Sequence, residues 1–239
     1  MLNSVDLFSG IGGFSFAFRD LFAPMCYCDN DADAVRILKA LMNRGVLQTA
    51  PVVDDVSSVG DIVAAVGGRR VHLLTAGFPC VGFSKRGRRE GFGNKHSAMF
   101  FKTLDVIRAV SPSMVMFENV AEILTFDKGA SVRVIWDKMR SLGFSMRWTT
   151  CSANDVGKPH LRNRWFCLCC KGAPVRLKDI RNLFPSRIAA PELIARDQGP
   201  NTSQRLFALG NAIVPMAATM SFSECTPASR SGTPTTFLS

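Results

Sequence analysis

The sequence predicts an α/β fold: a mostly parallel sheet with helices on both faces, plus a small irregular module late in the chain. Three observations carry this expectation. Short apolar runs alternate with helical patterns over residues 1–170, the alternation that builds parallel sheets. A glycine turn, Gly10-Ile11-Gly12-Gly13, separates the first apolar run from the first helical pattern, as in nucleotide-type cofactor sites. Acids and an amide recur where the runs end, at Asp29, Asp55, Glu118 and Asn119. In such a sheet, those strand ends form the ligand-binding edge.

Taken in order, residues 4–8 read as the first strand, and residues 14–18 open a helix after the glycine turn. The glycines let backbone approach a ligand, and a helix N-terminus presents free N–H groups. Residues 23–28 read as a second strand ending at Asp29-Asn30-Asp31. An acid about 20 residues past the turn can grip a ribose hydroxyl. Equally, Asp29 or Asp31 can cap the helix expected at 32–42. Residues 51–55 form a brief strand with acids at its end, and 71–76 a buried strand. A helix is expected at 97–110, where Phe100, Phe101, Leu104, Ile107 and Val110 recur at helical spacing. Residues 113–117 read as a strand ending in Glu118-Asn119-Val120, 130–142 as a helix, and 144–152 and 164–170 as partner strands. Arg162 and Arg164, two residues apart, share a face if the chain is extended there.

The strand at 71–76 runs into Gly77-Phe78-Pro79-Cys80. The Gly and Pro force a turn, so Cys80 emerges at the ligand edge as a candidate nucleophile. The competing reading is a buried thiol, the commonest place for a free Cys. Lys85, Arg86, Arg88 and Arg89 follow among glycines. This basic loop suits a phosphate backbone, or it is a solvated surface loop.

The chain has 239 residues and a formal net charge of +10, which fits a polyanionic partner such as nucleic acid. The N-terminal residues carry neither a charged leader nor an apolar signal segment, and the eight Cys suggest free thiols in a reducing, intracellular compartment. Cys26/Cys28 and Cys167/Cys169/Cys170 lie in apolar strand-like runs without Cys-x-x-Cys spacing, so buried strand residues are expected there rather than a zinc site. No metal is expected. Residues 171–200 contain Pro174, Pro185, Pro191, Pro200 and several Arg without periodicity. Helical character returns over 204–220 around Gly210-Asn211-Ala212-Ile213-Val214-Pro215. The Ser/Thr/Pro/Gly-rich tail from 221 to 239 reads as disordered.

These motifs, in this order, resemble the C5-cytosine methyltransferase family. The motifs are Asp6-Leu7-Phe8-Ser9-Gly10-Ile11-Gly12-Gly13, Gly77-Phe78-Pro79-Cys80 with Phe83-Ser84, Glu118-Asn119-Val120, Arg162-x-Arg164 and Gly210-Asn211-Ala212-Ile213-Val214-Pro215. Each is weak alone, and the series is specific. The resemblance implies a Rossmann-like, S-adenosylmethionine-dependent methyltransferase acting on double-stranded, cytosine-containing DNA. It implies a cofactor pocket bordered by Phe8, Ser9, Gly10, Ile11, Gly12, Gly13, Asn30, Val56, Gly77, Pro79 and Met99. Asp29 would hold the ribose hydroxyls and Asp55 the adenine amino group. Asn211, Ala212 and Ile213 would fold back to complete the methionine end. Cys80 would attack carbon 6 of a flipped-out cytosine. Glu118 would bond ring nitrogen N3 and the exocyclic amine, and Arg164, beside Arg162, the base carbonyl. Asn119 would steady the Pro79-Cys80 turn, and Ser84, Lys85, Arg86, Arg88 and Arg89 would close over the nucleic acid.

Departures from the family pattern qualify that implication. Asp29 stands where the family usually has Glu, and Val81 and His160 where it often has Gln. The recognition region between the catalytic and C-terminal motifs, residues 171–200, is much shorter than usual. Specific complexes bury roughly 1,000–2,500 Å² of protein surface, so short-sequence specificity, a second protein chain supplying recognition, or loss of activity is expected. The expected organisation is a catalytic and cofactor-binding domain at 1–170, a reduced recognition segment at 171–200, a C-terminal motif at 201–220 and the tail. Three alternatives compete with the leading reading: a tRNA-methylating relative, a catalytically impaired or partner-dependent cofactor-binding homologue, and a nicotinamide-binding Rossmann domain.

Overall fold

A computed structural model describes residues 1–79, 98–153 and 162–172. The strands are β1 (Leu2–Leu7), β2 (Phe22–Cys28), β3 (Val52–Val53), β4 (Leu73–Ala76), β5 (Met114–Val120), β6 (Phe144–Ser152) and β7 (Asn163–Lys171). The helices are α1 (Gly13–Ala17), α2 (Ala32–Asn43), α3 (Val59–Val66), α4 (Ala98–Val110) and α5 (Ala130–Ser141). The strands form one seven-stranded sheet in the order β3-β2-β1-β4-β5-β7-β6. β1 to β5 run parallel, and β7 runs antiparallel between β5 and β6. The expected mostly parallel sheet is therefore present.

The sheet is covered on both faces because alternate strand residues are apolar in both directions, as buried parallel strands require. On one face, Val5, Leu7, Leu74, Val115 and Phe117 pack with Ile62 and Val66 of α3, Phe100, Leu104 and Ile107 of α4, and Ile135 and Met139 of α5. On the other, Leu73, Met114, Met116, Phe166 and Leu168 meet Phe14, Ala17 and Phe18 of the α1 region, while Tyr27 meets Leu38 and Met42 of α2. Cys26, Cys28, Cys167, Cys169 and Cys170 are buried strand residues, as their alternation indicated.

Three features differ from the sequence-based expectation. Helix α3 is not anticipated by the sequence pattern: Val59, Val63 and Val66 are β-branched and Gly60 disfavours helix, and eight residues give too little periodicity. Strand β5 does not end at Phe117 but carries Glu118 and Asn119 inside it, because β7 pairs with it as far as Val120↔Arg164. The partner strands 144–152 and 164–170 do pair, but it is β7 that inserts beside β5.

The topology sets the location of the site. From β1 the chain moves outward to β2 and β3, then crosses back to place β4 on the other side of β1. The order therefore reverses between β1 and β4, whose last residues Leu7 and Ala76 are direct partners. The crevice at such a reversal is where open α/β sheets bind ligands.

Candidate active site

Two turns leave the sheet side by side at this reversal. The first follows β1. Phe8, Gly10 and Gly12 all adopt positive φ, 54°, 54° and 85°. For Phe8 the left-handed conformation costs roughly 1–2 kcal/mol, so the surrounding bonds must impose it. They do so through Ser9: its N–H donates to Cys28 O at 2.9 Å, its hydroxyl donates to Asp6 O at 2.6 Å, and Cys28 N–H donates to that hydroxyl at 3.1 Å. The turn is thus fastened to the end of β2. A Cβ on Gly10 would meet nothing within 4 Å, so the backbone there lies open to a ligand.

Asp29, at the end of β2, completes the fastening. Its Oδ2 accepts from Gly10 N–H at 2.7 Å, and its Oδ1 from Asp31 N–H at 2.9 Å. Asp31 caps α2, accepting from Ala34 N–H at 2.9 Å. The alternatives left open by the sequence therefore separate: Asp31 caps the helix, and Asp29 shapes the turn. Each Asp29 oxygen keeps a second lone pair for a ligand hydroxyl. Asn30 is exposed beside it, and a cleft of about 620 Å³ opens along Asp29, Asn30 and Asp54 against α2. Asp55 is exposed and accepts from Ser57 N–H at 2.7 Å. Val56 is buried in the core.

The second turn follows β4. Phe78 is buried among Phe100 and Phe117, at ring-centroid separations of 5.7 and 5.8 Å. Its carbonyl accepts from Asn119 Nδ2 at 3.2 Å. Gly77 and Pro79 are partly exposed, and Met99 is half-buried in the first turn of α4. Cys80 and the basic residues Lys85, Arg86, Arg88 and Arg89, with Ser84, lie outside the described residues, as do His160, Asn211, Ala212 and Ile213.

The third component is an ion pair. Glu118 and Arg164 lie diagonally across the β5–β7 ladder, since Glu118 faces Phe166 and Val120 faces Arg164. Arg164 Nε approaches Glu118 Oε1 at 2.9 Å. Glu118 is only 8% exposed. Burial pushes its carboxyl above the ordinary glutamate range, against the opposing pull of Arg164 and Arg162. Desolvation and the two guanidinium groups thus act on its proton in opposite directions. By contrast, burial pushes the thiols of Cys26 and Cys170 up to about 11 and that of Cys28 up to about 12. Those thiols stay protonated near neutral pH, and a protonated thiol is a poor nucleophile.

One buried group was missed by sequence reasoning. Asp6 is 1% exposed and its carboxyl lies between two hydroxyl donors, Thr75 Oγ1 and Ser15 Oγ, each at 2.7 Å. Burial raises its pKa to about 6 despite both bonds, with nearby Asp29 adding to the rise. Its place within the first motif was the available signal, but its partners are distant in sequence.

The family model for C-5 cytosine-specific DNA methylases matches residues 2–198. The chain belongs to this family. The type II methyltransferase M.CviJI of Paramecium bursaria Chlorella virus IL3A is 33% identical to this methylase-family chain over 165 residues, covering 69% of it and 42% of the relative. M.HhaI of Haemophilus parahaemolyticus is 30% identical over 168 residues, covering 70% and 49%. The chain thus spans less than half the length of these curated relatives. Among solved structures, S. pombe Dnmt2 methyltransferase aligns with a TM-score of 0.56 at 22% identity, over 85% of this chain and 63% of that one. The Spodoptera frugiperda DNMT2 mutant aligns with 0.55 at 17%, over 72% and 50%. These likenesses place the methylase-family chain in the Rossmann-like methyltransferase fold. The cofactor of C-5 cytosine methylases is S-adenosylmethionine, and the open backbone over Gly10 beside the Asp29 carboxylate fits it. Among the described residues, no helix is long and apolar enough to cross a membrane.

Proposed function

We propose that this chain is a DNA (cytosine-5-)-methyltransferase that moves a methyl group from S-adenosylmethionine to carbon 5 of cytosine, through a covalent Cys80 adduct. The observation that carries the reading is the buried Glu118–Arg164 pair, one strand away from the Phe78-Pro79 turn that leads into Cys80. The methylase-family match supports it.

Carbon 5 of cytosine is a weak nucleophile. Addition of the Cys80 thiolate to carbon 6 forms an S–C bond and moves the ring electrons towards carbon 5 and N3. Glu118, held protonatable by burial, bonds N3 and the exocyclic amine as that charge develops. Arg164 contacts the base carbonyl, and Arg162 adds positive charge nearby. The cofactor, when bound, supplies an electrophilic methyl group at carbon 5. A base then removes the carbon 5 proton, the electron pair reforms the double bond, and the Cys80 thiolate leaves. Asn119 holds the carbonyl of Phe78 and so steadies the turn before the nucleophile. Phe8 and the Gly10–Gly13 turn border the cofactor, Asp29 takes its ribose hydroxyls and Asp55 its adenine amine, with Asn211 completing the methionine end. A duplex target is first flipped out of the stack, at a cost of a few kcal/mol, and Lys85, Arg86, Arg88 and Arg89 neutralise its phosphates.

The test is trapping. Incubation with cofactor and a duplex containing 5-fluorocytosine is expected to yield a covalent protein–DNA adduct, because fluorine at carbon 5 blocks the final elimination. Cys80→Ser is expected to yield none. Absence of adduct across varied sequences, with cofactor binding verified, overturns the assignment. Adduct only after addition of a second chain assigns target recognition to that partner. Methyl transfer to tRNA but not DNA assigns the substrate to RNA.

A further inference from the structure

We propose that Asp6 is a positioning residue that couples the cofactor turn to the nucleophile turn, so that cofactor binding and Cys80 placement depend on one buried carboxylate. The inference rests on the methyltransferase reading above for the identity of the two turns.

The geometry is a three-element bridge. Asp6 is the penultimate residue of β1 and the direct register partner of Thr75 on β4. One carboxylate oxygen accepts from Thr75 Oγ1 and the other from Ser15 Oγ, both at 2.7 Å. Thr75 belongs to the strand that runs into Gly77-Phe78-Pro79. Ser15 lies in α1, two residues after Gly13 of the cofactor turn. The backbone carbonyl of Asp6 accepts from Ser9, inside that turn. Asp6 therefore touches both turns and neither ligand: its carboxylate is enclosed, at 1% exposure.

Packing alone does not call for a carboxylate here. Beyond Ser4, Thr75 and Ser15, buried positions on this face of the sheet include the apolar Leu73, Met114 and Met116. A buried carboxylate costs several kcal/mol unless fully bonded, and an apolar side chain would avoid that cost. What the carboxylate adds is a fixed distance between two hydroxyls on different elements. Any shift of Ser15 in α1 would therefore be felt by the same group that bonds Thr75 in β4. The bridge is short, charged at one end of each bond and shielded from water, which is the arrangement in which hydrogen bonds hold geometry best.

The experiment uses the full chain and reads across the bridge. Thr75→Val touches no residue of the cofactor turn, yet it is expected to weaken S-adenosylhomocysteine binding by about tenfold, the ratio for loss of one such bond. Ser15→Ala touches no residue of the nucleophile turn. At saturating cofactor it is expected to slow adduct formation with 5-fluorocytosine duplex by about tenfold. Thr75→Ser, which keeps the hydroxyl, is expected to hold cofactor affinity at the wild-type value. The double variant is expected to be little worse than either single one, because both act through Asp6. A merely structural role predicts lowered thermal midpoints without these cross-effects. Unchanged cofactor affinity in Thr75→Val, or failure of Thr75→Ser to restore it, overturns the proposal. If the wild type forms no adduct, the methyltransferase reading fails, and the cofactor-affinity arm still decides the role of Asp6.

Discussion

Arg164 Nε lies 2.9 Å from Glu118 Oε1 across two antiparallel strands, with Glu118 only 8% exposed. Burial raises the Glu118 pKa and Arg164 opposes the rise, so removing the Arg raises it further. A carboxyl with a raised folded pKa stabilises the fold below its unfolded pKa, and that contribution is lost as pH rises through the folded value. Arg164→Met is therefore expected to destabilise by about 3–5 kcal/mol at pH 8 and by much less at pH 5. Urea unfolding at both pH values measures the difference. Adding Glu118→Gln is expected to recover most of the loss at pH 8, and equal losses at the two pH values would contradict this account.

Asn119 donates to the carbonyl of Phe78 in a buried setting. Asn119→Ala leaves that carbonyl without this donor, at a cost of about 1–3 kcal/mol. Adduct formation is expected to slow by at least tenfold, while cofactor affinity stays within about twofold. Stopped-time trapping with 5-fluorocytosine DNA, alongside calorimetric cofactor titration, separates the two effects.

Two glycines should respond in opposite directions to Ala. Gly12 has φ +85°, and a Cβ there would sit 2.5 Å from Leu47 Cδ1 and 3.0 Å from Leu38 Cδ1. Gly12→Ala is expected to cost at least about 1–2 kcal/mol for the left-handed backbone and to weaken cofactor binding. Gly60 lies in α3, where an added Cβ would meet nothing within 4 Å, so Gly60→Ala is expected to stabilise by about 0.4–1 kcal/mol. Thermal unfolding of both variants checks the contrast.

The raised Asp6 pKa has its own signature. With the group at about 6 in the fold and 3.8 as its ordinary value, the native state holds a proton over a window where the unfolded state has lost it. Stability from this group is complete below pH 4 and lost by about pH 6, a fall of about 3 kcal/mol. Asp29, through its charge, adds to the rise; Thr75 and Ser15 oppose it. The stability difference between wild type and Asp6→Asn, measured from pH 4 to 7, is expected to change with that sign. A pH-independent difference would contradict it.

Much of this molecule was legible before folding was considered. Apolar runs bounded by glycine, proline and acids marked β1, β2, β4, β5 and β7, since strands buried on both faces are largely apolar, while β6, the part-exposed edge strand, was read from residues 144–152. Helical spacing marked α2, α4 and α5. Helix α3 escaped because local propensity opposes it and packing of Ile62 and Val66 onto the sheet overrides that propensity.

What the linear order determined was the type of element, its place in the chain and the residue types at each strand end, because these follow from local hydrophobicity and backbone preference. Tertiary structure alone decided which strand ends become neighbours. It placed β4 against β1, set β7 beside β5 so that Arg164 reaches Glu118, assigned Asp29 to the glycine turn rather than the helix cap, and gathered Thr75 and Ser15 onto Asp6. Those pairings depend on chain crossings and on the enclosure of polar groups away from water, which force a partner to be found across the sheet and leave no mark in local sequence.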